Sequence, residues 1–177
     1  MDKLFALFNE TSGVSTDTRT INEDCMFIAL KGGNFNGNLF AQEAIDKGAD
    51  EALLLDKNGN ISEGSGENIF IVKDNKIYTP KKDHCLNGIT RQSVITVAKD
   101  FGINVTEKDI TYDEACSADE TFFTGTAVEI TPITKIDSYK IGDGLRGPIT
   151  KKLQETYGLI VSGQSNQYNN WLSYVNK

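Results

Sequence analysis

Apolar positions along this chain fall mostly into short runs punctuated by glycine, asparagine and aspartate, with two longer helical periodicities set among them. Val94, Val97, Ala98 and Phe101 recur at i, i+3, i+4 and i+7, with Thr90 placed to cap the run and Gly102 to end it. That spacing predicts a helix over 88–101. Pro148 at a first helical position opens a second, with Ile149, Leu153, Tyr157 and Ile160 on one face and Gly163 as its stop. Strands are expected over 52–55, 68–72, 76–79, 103–110, 121–124 and 127–131. Asn58-Gly59 and Asp74-Asn75 serve as turns, and 113–116 as a single helical turn. Nearer the N-terminus, Leu4, Leu7 and Phe8 suggest a short helix over 2–9, and Cys25 to Leu30 an apolar strand. Asn36-Gly37-Asn38 makes a turn and an N-cap, followed by a helix with Phe40, Ala41, Ala44 and Ile45 inward and Gly48 at its end. Trp171, Leu172 and Tyr174 are expected to dock the tail. The sum is an α/β or α+β fold, a mixed β-sheet with flanking helices.

Composition narrows the partners. With 177 residues and 38% hydrophobic content, one ordinary domain can form a core. Eighteen Lys and Arg against 25 Asp and Glu leave a net charge of −7, which repels phosphate backbones and anionic lipid surfaces. Neither nucleic acid nor membrane is an expected partner. Met1-Asp2-Lys3 opens no signal peptide, and no apolar run approaches a membrane span, so a soluble, cytoplasmic protein is expected. Cys25, Cys85 and Cys116 are widely spaced and read as reduced thiols. The single histidine, His84, excludes a two-histidine metal site, and no metal is expected.

Three stretches carry candidate chemistry. Ile61-Ser62-Glu63-Gly64-Ser65-Gly66-Glu67-Asn68-Ile69-Phe70 is a glycine-punctuated acidic loop entering a strand, where backbone can approach something flat and Glu63 can meet a cation. Leu86-Asn87-Gly88-Ile89-Thr90-Arg91 opens the first long helix. Phe123-Thr124-Gly125-Thr126-Ala127-Val128-Glu129 is a tight β connection. Each alone also fits an ordinary hairpin, helix cap or turn. Arg91 and Glu129 read as structural or surface charges.

Together and in this order, the three stretches resemble the branched-chain amino-acid aminotransferases, fold type IV pyridoxal-phosphate enzymes, over residues 50–177. The resemblance implies the large cofactor domain of that fold, pyridoxal 5'-phosphate as cofactor, and amino transfer between leucine, isoleucine or valine and 2-oxoglutarate. It implies small-molecule amino-acid and 2-oxo-acid partners and a homo-oligomer. Glu63 would be the acid facing the pyridine nitrogen, and Leu86 would pack on the ring. Gly88, Ile89 and Thr90 would cradle the phosphate with Thr126, while Gly125, Thr126 and Ala127 would meet the substrate carboxylate. The family's Schiff-base lysine lies a little over thirty residues before the acid; Lys31 stands 32 positions before Glu63, with Phe35 where an Asn-Tyr pair would carry tyrosine.

A second resemblance crosses the same residues. Ser15-Thr16-Asp17-Thr18-Arg19, Phe27-Ile28-Ala29-Leu30-Lys31-Gly32, Asn36-Gly37 and Gly48-Ala49 are similar to the N-terminal domain of Mur ligases, of the type that adds D-alanyl-D-alanine. This divides the chain into a truncated ligase-like strand and helix segment, 1–49, and an aminotransferase class IV C-terminal-like domain, 50–177. It implies a UDP-sugar-binding module as the alternative function. No Gly-x-x-x-x-Gly-Lys-Ser/Thr loop accompanies it, so the ATP site of a ligase is not expected. Both an active transaminase and a chain that binds the cofactor without catalysis fit the sequence.

Overall fold

The computed structural model describes residues 50–173, together with the backbone of two short strands, β1 (Val14–Ser15) and β2 (Met26–Phe27), which pair in parallel. The helices expected over 2–9 and up to Gly48, most of the strand over 25–30, Lys31, Cys25 and Tyr174 lie outside the described residues.

From Leu54 the chain builds a meander. β3 (Leu54–Leu55) and β4 (Ile61–Glu63) are antiparallel around a turn in which Gly59 sits at φ +82°, a left-handed conformation that glycine adopts without steric cost. β5 (Asn68–Lys73) and β6 (Lys76–Thr79) form a hairpin, and both turn residues, Asp74 and Asn75, have positive φ of 50° and 57°. Two consecutive positive values suit the right-handed twist of the flanking strands. The chain then runs through an 80–88 loop into helix α1 (Ile89–Asp100), β7 (Val105–Glu107), the short helix α2 (Tyr112–Cys116), β8 (Glu120–Gly125) and β9 (Glu129–Ile133). A small hairpin, β10 (Lys135–Ile136) and β11 (Tyr139–Lys140), leads to α3 (Pro148–Val161) and a 3-10 helix, Asn166–Trp171.

The central sheet has the order β7-β6-β5-β8-β9, with β6 and β7 parallel and the other neighbours antiparallel. It is therefore mixed, as expected. β5 and β8 occupy its middle and are buried on both faces, so β5 reads as a continuous apolar run over 69–72, while β8 sets Phe122 and Phe123 between the buried polar residues Glu120, Thr121 and Thr124. Alternate residues serve different cores. Phe70, Val72 and Phe122 face α1 and α3, meeting Val94, Val97, Ala98, Leu153 and Ile160. Ile69, Ile71 and Phe123 face away, meeting Ile61, Ile110, Ala115, Ile136 and Ile141. Phe70 and Phe122 are register partners whose rings stack at 5.1 Å, worth about 0.5–1.5 kcal/mol beyond their buried area.

Several expectations shift. Gly88 is the N-cap of α1 and no side chain caps it; Thr90 instead lies buried within the first turn. β9 starts at Glu129, because Thr126 to Val128 form a turn that Glu129 closes at φ 50°. Tyr168, not Trp171, is the buried aromatic of the tail, its hydroxyl donating to Asp100 Oδ2 at 2.8 Å. Cys85 and Cys116 are free thiols.

Candidate functional site

The three motifs meet at one end of the sheet because β5 and β8 are neighbours: Asn68, first residue of β5, lies opposite Thr124, and Gly125 follows at the end of β8. Glu63 ends β4, the partly buried final residue of a strand whose other two residues are buried. Its Oε2 accepts the Leu86 backbone N–H at 2.8 Å and the Asn68 Nδ2 at 3.4 Å. Among the described residues, Glu63 Oε1 accepts no hydrogen bond.

Asn68 ties the second motif down. Its Nδ2 also donates to the Leu86 carbonyl at 2.7 Å, and the Gly88 N–H donates to the same carbonyl at 2.9 Å. Gly88 is needed for room: a Cβ there would overlap Asn68 Oδ1, although φ −62° and ψ 150° are open to any residue. Immediately beyond, α1 begins with no side-chain cap and no acidic residue in its first turn. The first N–H groups of a helix have no intrahelical partner and carry the positive end of its dipole, so an uncapped start suits an anion. The start of α3 is arranged the other way: the buried Glu120 carboxylate accepts the N–H groups of Ile149 at 3.0 Å and Thr150 at 2.7 Å. Thr90 packs its hydroxyl 3.4 Å from that of Tyr157 on α3.

The third motif touches the first. A Cβ on Gly125 would lie 3.4 Å from both Glu67 Cγ and the Gly66 carbonyl oxygen, so the acidic glycine loop passes directly over the end of β8. That loop closes on itself through the Gly64 N–H donating to the Glu67 carbonyl at 2.6 Å. It is held from outside by Glu51, whose Oε1 accepts the Ser65 N–H at 3.1 Å. Burial and the neighbouring Glu51 push the Glu67 carboxyl up from its ordinary value. Thr126 and Ala127 are exposed in the turn beyond.

The structure thus brings Glu63, Leu86, Gly88, Ile89 and Thr90 into one connected patch with Gly125 beside it; Lys31 lies outside the described residues. Leu86 and Ile89 are 71% and 83% exposed, two large apolar side chains presented at the patch. Sequence reasoning missed Asn68, which joins the acid to the loop. Its signal was faint: an amide side chain immediately before the apolar run 69–72. Of the two readings open for Arg91, structural or surface charge, its burial supports the structural one. It is 1% exposed and donates from Nη2 to the Pro80 carbonyl at 2.9 Å and from Nη1 to Asn87 Oδ1 at 3.1 Å, which staples both ends of the 80–88 loop to α1.

The family model for amino-transferase class IV matches residues 6–136. The chain belongs to the class IV amino-transferases. The match begins well upstream of residue 50 and runs through most of the stretch that resembles a Mur ligase. Among similar proteins, the branched-chain-amino-acid aminotransferase of Pseudomonas aeruginosa is 54% identical over 144 residues, 81% of this chain and 47% of that one. That of Escherichia coli is 41% identical over 166 residues, 93% of this chain and 54% of that one. A crystal structure of the T.th. branched-chain amino acid aminotransferase, complexed with N-(5'-phosphopyridoxyl)-L-glutamate, superposes with a TM-score of 0.75 at 48% identity. It covers 79% of this chain and 47% of that one. The chain spans about half the length of the curated relatives it matches. Among the described residues no helix is long and apolar enough to cross a membrane, and none form a cluster suited to a metal ion.

Proposed function

We propose that this class IV amino-transferase chain is a branched-chain amino-acid aminotransferase-like protein that takes pyridoxal 5'-phosphate at the patch around Glu63 and the start of α1. The observation that carries the reading is the hydrogen bond from the Leu86 N–H to Glu63 Oε2, which joins an acid to an open helix N-terminus through two residues of chain. The cofactor's two charged ends fit these groups: Glu63 Oε1 can accept a proton-bearing ring nitrogen, and the Ile89 and Thr90 N–H groups can take the phosphate.

When bound, the cofactor supplies a ring that accepts the electron pair released at the substrate Cα. Glu63 keeps a proton on the ring nitrogen, since a carboxylate beside a cation favours the charged form. The Thr90 hydroxyl and Thr126 would add donors to the phosphate. The Leu86 side chain would pack on the ring and keep water from it. Gly125 allows the backbone of Thr126 and Ala127 to approach the substrate carboxylate. Lys31 is the amine that we assign to covalent attachment of the cofactor and to moving the Cα proton. The substrates are leucine, isoleucine or valine with 2-oxoglutarate, and the protein acts as a cytoplasmic homo-oligomer with no nucleic-acid or membrane partner.

The boundary at residues 49 and 50 belongs to this proposal, with 50–177 forming the class IV C-terminal-like domain. The family match from residue 6 supports an aminotransferase reading on both sides of it and lends nothing to the UDP-sugar alternative. The test is to mix the full chain with pyridoxal 5'-phosphate, reduce with borohydride and map the labelled peptide. Stoichiometric label on Lys31 is expected; label scattered over surface lysines, or none, would overturn the assignment.

A further inference from the structure

The 80–88 loop carries the Leu86 N–H that meets Glu63, and its far side is held by a histidine that the proposed chemistry does not use. His84 Nδ1 lies 3.0 Å from Asp56 Oδ2, in the turn between β3 and β4, and 3.5 Å from Asp109 Oδ1, in the connection from β7 to α2. The imidazole therefore spans two elements that flank the loop. Asp56 is a committed partner: its Oδ1 takes the N–H groups of Asn58 at 2.8 Å and Asn60 at 3.0 Å, while Oδ2 is buried with no aligned hydrogen-bond donor and faces His84. A buried carboxylate oxygen without a hydrogen bond is costly, and the imidazole, 3.0 Å away, is a basic group placed to offset that cost. Burial pushes the Asp56 carboxyl up, but the Asn60 and Asn58 N–H donors and the imidazole outweigh it and hold the carboxyl below its ordinary value.

Other charges tie the same loop down. Lys81, on the same loop, pairs with Asp109 at 2.8 Å. Glu107 on β7 accepts the Lys82 N–H at 3.3 Å, and Glu63 is reached two residues further along the loop, through the Leu86 N–H. The backbone is fixed at the same place, with the Ser62 hydroxyl donating to the His84 carbonyl and the His84 N–H donating to the Lys81 carbonyl at 2.9 Å.

We infer that His84 is a positioning residue: by bridging Asp56 and Asp109, its imidazole sets the 80–88 loop so that the Leu86 N–H reaches Glu63. The consequence for cofactor binding rests on the functional reading above; the loop geometry does not. His84→Asn keeps an N–H donor where Nδ1 stands, His84→Gln moves it outward, and His84→Ala removes it.

The experiment follows the Leu86 amide of the 15N-labelled full chain by hydrogen exchange in wild type, His84→Ala, His84→Gln and His84→Asn. Glu120→Gln, at the opposite end of β8, serves as a control for general loss of stability. Exchange at Leu86 is expected to rise about tenfold in His84→Ala and His84→Gln, and to stay within about threefold of wild type in His84→Asn. Unchanged exchange in His84→Ala and His84→Gln would overturn the inference, and so would an equal rise in Glu120→Gln. Pyridoxal 5'-phosphate affinity, measured in parallel, is expected to fall in His84→Ala and return in His84→Asn. If the wild type failed to bind pyridoxal 5'-phosphate, only the functional reading would fall, because the exchange measurement needs no cofactor.

Discussion

Gly88→Ala tests whether the acid and the helix start are joined through Asn68. Gly88 has φ −62° and ψ 150°, which alanine adopts freely, so the backbone itself does not resist the change. Left to the unfolded state alone, a Gly to Ala change would stabilise by about 0.4–1 kcal/mol. Here the new Cβ overlaps Asn68 Oδ1 and comes within 3.6 Å of Asn68 Cγ and 3.8 Å of Arg91 Cβ. Asn68 is buried, and its Nδ2 is fixed to the Leu86 carbonyl at 2.7 Å, so it cannot swing clear without giving up that bond. Overpacking of this kind costs about 1–3 kcal/mol, leaving a net loss of about 1–2 kcal/mol. At this chain length that lowers Tm by about 3–6 °C. The assay is a double-mutant cycle by thermal and urea unfolding with Asn68→Ala. In the Asn68→Ala background the glycine change is expected to cost nearly nothing, a coupling above about 0.5 kcal/mol. A Gly88→Ala protein at least as stable as wild type, or a cost that persists without Asn68, would show that Asn68 is not what resists the change.

Three further outcomes follow from other parts of the molecule. Glu120→Gln weakens the two N–H contacts at the start of α3 and is expected to cost about 1–2 kcal/mol, read as a lower urea midpoint with unchanged slope. Asp56 has a folded pKa below its ordinary 3.8, so the stability it contributes is present above that value and lost as pH falls through the folded one. Stability measured from pH 5 downward should accordingly fall less steeply in Asp56→Asn than in wild type. Arg91→Lys removes a planar fork that reaches both Pro80 and Asn87 while keeping the charge; it is expected to destabilise by about 2–4 kcal/mol in urea unfolding.

The elements with strong local signals were legible in the sequence. The i, i+3, i+4, i+7 run placed α1, Pro148 and Gly163 bracketed α3, and Asp74-Asn75 marked the hairpin because its turn needs two positive φ values. The β10 and β11 hairpin was not legible: strands of two residues carry no alternation to read. Tyr168 took the place expected for Trp171 because the 3-10 turn presents it to Asp100, a contact between residues 68 apart in sequence. The motifs supplied the candidate residues, but their meeting depends on β5 lying beside β8, a pairing that no local pattern specifies. Asn68 and His84 were passed over for the same reason, since their partners are distant in sequence.

We propose that the Glu63 loop, the start of α1 and the Gly125 turn form a single site for pyridoxal 5'-phosphate. Its most direct test is a titration of the 15N-labelled chain with the cofactor, followed by amide shifts. Saturable shifts concentrated at Leu86, Ile89, Thr90 and Gly125 to Ala127, abolished by Ile89→Pro, which removes one helix-start N–H, are expected. Shifts confined to surface lysines and their neighbours, with the Ile89 and Thr90 amides unmoved at saturation, would rule that site out.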